Sequence, residues 1–121
     1  MDSGMFFPIQ AGAIAALSLG EKWFNELNEI YSRRRKWAYK ILDSIDCSYD
    51  TEGVGMFVWA KTKMNHAEQL SEELLDRSGI FITPGSVFGS NGDAYLRISL
   101  CTPENVLIRS LEKIKNAGYG C

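Results

Sequence analysis

Apolar residues near the N-terminus repeat with a helical period. Residues 9–19 are rich in alanine and leucine, Pro8 suits the first turn, and Gly20 follows as a left-handed stop. Residues 21–45 then carry apolar side chains about every 3.6 positions. The pattern predicts a mostly buried first helix and a long amphipathic second helix, which would extend about 35 Å at 1.5 Å per residue.

Beyond residue 45 the pattern alternates between strands and helices. Aromatic and β-branched runs predict three strands at residues 56–61, 80–82 and 95–100. Residues 65–78 predict a helix that Gly79 closes, with Ala67, Leu70, Leu74 and Leu75 facing inward, and Pro103 opens a last helix that ends near residue 116. The element order ααβαββα predicts a two-layer α+β fold in which helices cover one face of a three-stranded sheet.

Composition limits the size and the partners of this fold. The chain has 121 residues, 45% of them hydrophobic, which predicts a single domain over residues 1–121. Thirteen Lys and Arg oppose fifteen Asp and Glu, so the formal charge of −2 argues against nucleic acid as a partner. The apolar runs are too short to span a membrane and the N-terminus does not resemble a signal peptide, so we expect a soluble, cytoplasmic protein.

Several reactive residue types are present without a reactive pattern. The three cysteines are widely spaced and predict reduced thiols, and His66 is the only histidine, which argues for a surface residue rather than a metal ligand or a triad base. We expect all seven lysines at the surface, which leaves no candidate for covalent catalysis. The basic run at residues 33–36 points around its helix and predicts a solvated face rather than a binding patch.

The third strand offers one candidate binding residue. Its alternation places Leu96, Ile98 and Leu100 on one face and Tyr95, Arg97 and Ser99 on the other. A guanidinium on an open face suits a carboxylate held by two parallel hydrogen bonds, although a solvated arginine or one paired with Asp or Glu fits the same pattern. The preceding glycine-rich loop, residues 84–92, is either a mobile lid or a connection that needs positive φ angles.

Four blocks of this sequence resemble one enzyme family. The segments DSGMFFPIQAGAIAAL, VGMFVWAK and GIFITPGSVFGSNGDAYLRISL, with the long RRRK-bearing helix, resemble the C-terminal part of class I/II, fold-type I aminotransferases that depend on pyridoxal phosphate. They look most like the branch containing LL-diaminopimelate and alanine-type aminotransferases. The resemblance spans nearly the whole chain and keeps the family's order of blocks.

The resemblance implies that the chain is the small domain of a homodimeric enzyme that transfers an amino group between an amino acid and a 2-oxo acid. Arg97 stands where the family's arginine binds the substrate α-carboxylate, and the domain then closes the active site. The family's lysine that binds pyridoxal phosphate belongs to a large domain, which would precede Met1. This chain alone is therefore expected to hold no cofactor and to be inactive.

The resemblance also suggests two further contact regions. A loop at the site entrance would be formed by Gly85, Ser86, Phe88 and Gly89. The stretch that includes Ser3 and Met5 would approach the site of the neighbouring subunit, although a simple helix lead-in explains that stretch nearly as well.

A non-catalytic module is the alternative interpretation of the same residues. Such a module would stand alone and bind a carboxylate or dimerise, so it would keep Arg97 and need no cofactor. A part of a larger enzyme should expose an apolar patch on its first helix and on part of the long helix, whereas a free-standing module should not, although a dimer interface would look the same.

Overall fold

The computed structural model describes residues 4–120, which fall into two compact units, one up to Ile30 and one from Tyr31. The described residues form four helices and four strands. In chain order these are α1 (Phe7–Leu17), α2 (Glu21–Ser44), β1 (Ser48–Tyr49), β2 (Phe57–Lys61), α3 (Ala67–Ser78), β3 (Thr83–Pro84), β4 (Tyr95–Ser99) and α4 (Glu104–Asn116). Among residues 4–120, no helix combines the length and the apolar character needed to cross a bilayer.

Helix α1 differs from its prediction in burial and in how it ends. Proline lies in its first turn as expected, but within Phe7–Leu17 no residue is buried. Gly20 has no positive φ, and the backbone N–H of Ser18 closes the helix by bonding to the carbonyls of Ile14 and Ala15. A high apolar content shows that a helix has surface to bury, but it does not show which chain covers that surface.

The sheet is antiparallel throughout and has the strand order β1-β2-β4-β3. It has four strands rather than the predicted three, so the element order is ααββαββα. The missed strand, β1, has only two residues and exists because Ser48 and Tyr49 pair with Lys61 and Ala60. A pairing across so many intervening residues leaves no local pattern in the sequence.

The second predicted strand lies three residues later than expected. Residues 80–82 are irregular, and the strand β3 is Thr83–Pro84, which pairs with Arg97 and Leu96 of β4. Proline lacks a backbone N–H, so it usually interrupts the hydrogen bonds of a strand. Because β3 lies at the edge of the sheet, a proline there leaves no ladder bond unmade.

The core of the second unit lies between one face of the sheet and helices α2, α3 and α4. The most buried large side chains are Leu42 of α2, Leu74 of α3, Leu96 and Leu100 at β4, and Ile114 of α4. Helix α3 ends as predicted at Gly79, which adopts φ 69°. Leu75 was predicted to face inward but is 45% exposed, and Ser71 takes the inward position by donating a hydrogen bond to the Ile82 carbonyl.

The basic run on α2 is structural rather than fully solvated. Arg34 donates a hydrogen bond to the Leu100 carbonyl at 2.9 Å, and Arg35 donates one to the Gly55 carbonyl at 2.6 Å. Arg33 pairs with Glu104 at 3.4 Å. These side chains diverge, as the helical geometry predicts, and they join α2 to three other segments instead of forming one patch.

Candidate carboxylate-binding site

Arg97 lies on the sheet face opposite the core, as the alternation predicted. Its neighbours Leu96 and Ile98 are buried, while Arg97 itself is half-buried. On one side it pairs across the ladder with Trp59 of β2, and on the other with Thr83 of β3. Because β4 has a paired strand on each side at this position, the backbone that carries Arg97 is held from both directions.

Two phenylalanine rings contact the guanidinium group. Its central carbon lies 4.3 Å from the centroid of the Phe57 ring and 4.1 Å from that of the Phe88 ring. Phe57 projects from β2, and Phe88 ends a short 3₁₀ turn between β3 and β4. Trp59 lies beside them. Its ring is stacked on Tyr95, with 5.3 Å between the ring centroids, and is edge-on to Phe88, with 6.1 Å between the centroids.

The guanidinium has no acidic partner within residues 4–120. Arg97 makes no ion pair and donates no hydrogen bond among the residues that the structure describes. The alternative of an Asp or Glu partner is therefore wrong for this part of the chain. A permanently charged group whose N–H donors have no protein acceptor can bind an anionic ligand by donating hydrogen bonds to it.

A cleft of about 360 Å³ borders Arg97 on the β3 side. Its lining includes the hydroxyl-bearing residues Thr83, Ser99, Thr102 and Ser110 together with apolar residues such as Ile41 and Leu107. Among the described residues, Arg97 is the one charged residue in that lining. No Asp or Glu of residues 4–120 lies in this lining.

The loop before β4 is a compact structure rather than an open connection. It consists of two 3₁₀ turns, Gly85–Phe88 and Ser90–Gly92, joined at Gly89, whose φ is 124°. A Cβ on Gly85 would lie 2.7 Å from the Trp59 ring and closer still to the Gly92 carbonyl oxygen. Gly85 and Gly92 can therefore approach each other only because neither has a side chain, and their contact closes the loop that carries Phe88.

The predicted entrance residues do not all approach Arg97 equally. Of the four, Phe88 touches the guanidinium, while Gly85 and Gly89 shape the loop. Ser86 is half-buried, and its carbonyl accepts a hydrogen bond from the Gly89 N–H.

The two N-terminal site residues belong to the first unit. Ser3 lies outside the described residues. Met5 is 63% exposed, and its carbonyl accepts a hydrogen bond from the Gln10 side chain.

The other reactive groups of the described chain do not form a second site. All seven lysines and His66 are exposed, as predicted, and residues 4–120 contain no group of three or more metal-ligating side chains. Cys47 and Cys101 have free thiols, and burial raises the pKa of the Cys47 thiol to about 11. A thiol with a raised pKa is a poor nucleophile.

The aromatic contacts of Arg97 are the part of the site that the sequence did not predict. The alternation in FVWAK places Phe57 and Trp59 on one face of β2, so the sequence alone could have grouped these two rings. Their position beside Arg97 depends on the register that pairs Trp59 with Arg97, which arises only when the sheet forms.

Comparison with known proteins gives the class of this chain. The model of the family "Aminotransferase class I and II" matches residues 1–114. The chain belongs to the class I and II aminotransferase family.

Two curated relatives carry the name LL-diaminopimelate aminotransferase. The protein from Maridesulfovibrio salexigens is 35% identical over 115 residues, and the one from Aquifex aeolicus is 32% identical over 117 residues. These matches cover 94% and 96% of this chain but 30% of each relative. The chain therefore spans about a third of the length of the relatives that it matches.

Solved structures show the same fold. BacF from Bacillus subtilis, in its apo form, is similar with a TM-score of 0.76 and 28% identity, over 96% of this chain and 32% of that one. The LL-diaminopimelate aminotransferase from Chlamydomonas reinhardtii has a TM-score of 0.77 at 22% identity, over 95% of this chain and 29% of that one. The antiparallel α+β architecture described above is thus the fold of an aminotransferase segment.

Proposed function

We propose that this chain is the small, C-terminal domain of a pyridoxal-phosphate-dependent aminotransferase and that Arg97 binds the substrate α-carboxylate. The observation that carries the proposal is a half-buried arginine on the open sheet face, without an acidic partner in the described chain, in a member of this family. The substrates in this proposal are an amino acid and a 2-oxo acid, both of which present a carboxylate.

The guanidinium provides the geometry that such a substrate requires. Its planar array of N–H donors matches the two oxygens of a carboxylate, so two parallel hydrogen bonds fix both the position and the orientation of the ligand. An ammonium group at the same place would supply charge without that fork. The loop of Gly85, Ser86, Phe88 and Gly89 borders the entrance in this proposal, because Phe88 lies against the same guanidinium.

The residues of this chain do not fit pyridoxal phosphate. A covalent site needs a lysine in a pocket, and each of the seven lysines is exposed. Lys63, for example, reaches Asp46 at 3.2 Å on the surface, and Lys22 pairs with Glu26 along α2. We therefore assign the cofactor to a large domain outside this chain and expect the chain alone to lack transaminase activity.

The first unit supports a role within a larger assembly. Large apolar side chains stand exposed on and around α1 and at the start of α2: Met5, Phe6, Phe7, Ile9, Ile14, Leu17, Trp23 and Phe24. Exposed apolar side chains of this kind are expected of a part of a larger enzyme, and a dimer interface would expose them as well. We propose that residues 1–121 are one domain of a homodimeric, cytoplasmic enzyme, with Met5 and the preceding Ser3 near the partner subunit's site.

The domain's own part in this function can be tested on the chain as it stands. Sodium pyruvate is titrated into the wild type, Arg97→Lys and Arg97→Leu while the backbone amide resonances of β4 and the preceding loop are followed by NMR in all three proteins. We expect saturable binding by the wild type, weaker binding by Arg97→Lys and none by Arg97→Leu, because only arginine supplies two parallel donors. Equal binding by all three proteins would contradict the assignment.

The larger enzyme can be tested at the gene. We expect the reading frame upstream of the Met1 codon to continue into a domain with the lysine that binds the cofactor. A stop codon directly upstream would instead favour the stand-alone carboxylate-binding or dimerisation module.

A further inference from the structure

We propose that Phe57 and Phe88 are positioning residues that hold the Arg97 guanidinium in one orientation, with its N–H edge free for a carboxylate. This inference rests on the proposed function of Arg97. It adds to that function the means by which a flexible side chain is kept ready for its ligand. We call the two phenylalanines the aromatic clamp.

Arg97 is held differently from every other arginine of the described chain. Each of the other five donates at least one hydrogen bond: Arg33 to Glu104, Arg34 to Leu100, Arg35 to Gly55, Arg77 to Glu73 and Ala117, and Arg109 to Asn105. Arg97 contacts two aromatic rings and donates no hydrogen bond within residues 4–120. Two ring contacts thus define its position, and no residue of the described chain accepts a hydrogen bond from it.

The chemistry of the guanidinium explains why rings suit this task. The group is planar, its N–H donors lie in that plane, and aromatic rings attract it through its faces. A carboxylate partner from this chain would hold Arg97 equally well but would occupy the donors that the substrate needs. Rings restrain the side chain without using those donors.

Restraint before binding increases affinity. A free arginine side chain samples many rotamers and must give up that freedom when a ligand fixes it. The clamp removes part of that freedom before the ligand arrives. Phe57 comes from β2 and Phe88 from the loop, so the side chain is confined by two separately anchored elements.

The ring of Phe88 is itself supported. It packs edge-on against Trp59, at an interplanar angle of 64°, and Trp59 is stacked on Tyr95. The loop that carries Phe88 is closed where Gly85 meets Gly92. A short chain of contacts therefore connects the compact loop to the orientation of Arg97.

The test compares variants that remove one ring with variants that preserve it. Phe57→Leu and Phe88→Leu keep apolar bulk at positions that are 42% and 53% exposed, so both proteins should fold. Phe88→Tyr keeps the ring. Val87→Ala changes the neighbouring residue of the same loop, which is 65% exposed, and serves as the matched control. Each protein is titrated with sodium pyruvate, and the Arg97 Nε–Hε resonance is recorded before and after.

We expect each Leu variant to bind pyruvate about fivefold more weakly, which corresponds to about 1 kcal/mol. Phe88→Tyr, which keeps the ring, and Val87→Ala should both bind pyruvate as tightly as the wild type. In the free protein, the ring-current shift of the Arg97 Nε–Hε resonance should change in each Leu variant, which lacks one of the two rings, and should be kept in the Tyr and Ala variants.

Two outcomes distinguish the proposed function of Arg97 from the role of the aromatic clamp. If the wild type binds pyruvate no better than Arg97→Leu, the proposed function of Arg97 fails. If the wild type binds through Arg97 while both Leu variants bind as Val87→Ala does, the function stands and the aromatic clamp is wrong. An unchanged Arg97 resonance in both Leu variants would also overturn the clamp.

Discussion

The two faces of β4 carry opposite kinds of side chain on one backbone. The inner face packs Leu96 and Ile98 into the core of the second unit, where Leu96 is fully buried. The outer face presents Arg97 beside aromatic rings that are about half exposed. The inner side chains are held by close packing on all sides, whereas Arg97 is held by two contacts that leave its donors free.

This difference separates stability from binding. A substitution on the inner face leaves a cavity in a packed core, and its cost appears in the free energy of unfolding. A substitution on the outer face removes contacts that are partly solvated, so it should cost little stability, and we expect its main effect on the binding proposed for Arg97. Four predictions compare the effects of substitutions at buried and at exposed positions.

The largest effect is expected from Leu96→Ala. We expect the free energy of unfolding to fall by about 2–5 kcal/mol, because the cavity lies between the sheet and the helices. Urea denaturation measures this change. Leu17→Ala, at a position 86% exposed on α1, is the control and should change it by less than about 0.5 kcal/mol. A similar loss in both variants would refute the contrast.

Gly85→Ala should have the next largest effect. Its Cβ would collide with the Trp59 ring and the Gly92 carbonyl, and relieving such overpacking costs about 1–3 kcal/mol. Gly12→Ala adds the same methyl group in α1, where no atom lies within 4 Å of the new Cβ, and should not destabilise the protein. If Gly85→Ala unfolds at the same denaturant concentration as the wild type, the loop can move to accommodate the methyl group and the prediction is wrong.

Alkaline pH should reveal the burial of Cys47. Its pKa is raised from about 9 to about 11 in the folded protein, chiefly by burial. Above pH 9 the unfolded chain releases this proton while the folded chain retains it, so stability falls as the pH rises from 9 to 11. Cys47→Ala should flatten that decline, whereas Cys101→Ala, at an exposed thiol, should not. Parallel slopes for the wild type and Cys47→Ala would contradict the prediction.

The smallest effect on stability is expected from Arg97→Leu. Losing contacts with two rings at a partly exposed site should cost less than about 1 kcal/mol. Thermal unfolding of Arg97→Leu beside the wild type measures this. A loss as large as that of Leu96→Ala would mean that the outer face also holds the fold together.

Helices and the central strand followed closely from the sequence. Helix α2 was predicted over residues 21–45 and is Glu21–Ser44, and the alternation along β4 placed Arg97 on the correct face. Both features are local, since each depends on residues a few positions apart. The closure of α3 by Gly79 is local for the same reason.

The features that the sequence did not predict depend on distant partners. β1 is defined by its pairing with β2, and the position of β3 by its pairing with β4. The cover of α1 could not be inferred from its composition. The contacts of Phe57 and Phe88 with Arg97 likewise require both the sheet register and the folded loop.

The alternation along β4 limits how this gene can change in length. Adding or deleting one codon between Tyr95 and Arg97 would shift the strand by one position and exchange its two faces. Arg97 would then enter the core and an aliphatic residue would replace it outside. Whole-codon insertions should therefore be tolerated in the exposed turn before β2 and rejected within β4. We therefore expect that deleting one codon of this five-residue strand removes the proposed binding group from the outer face, although the gene still encodes Arg97.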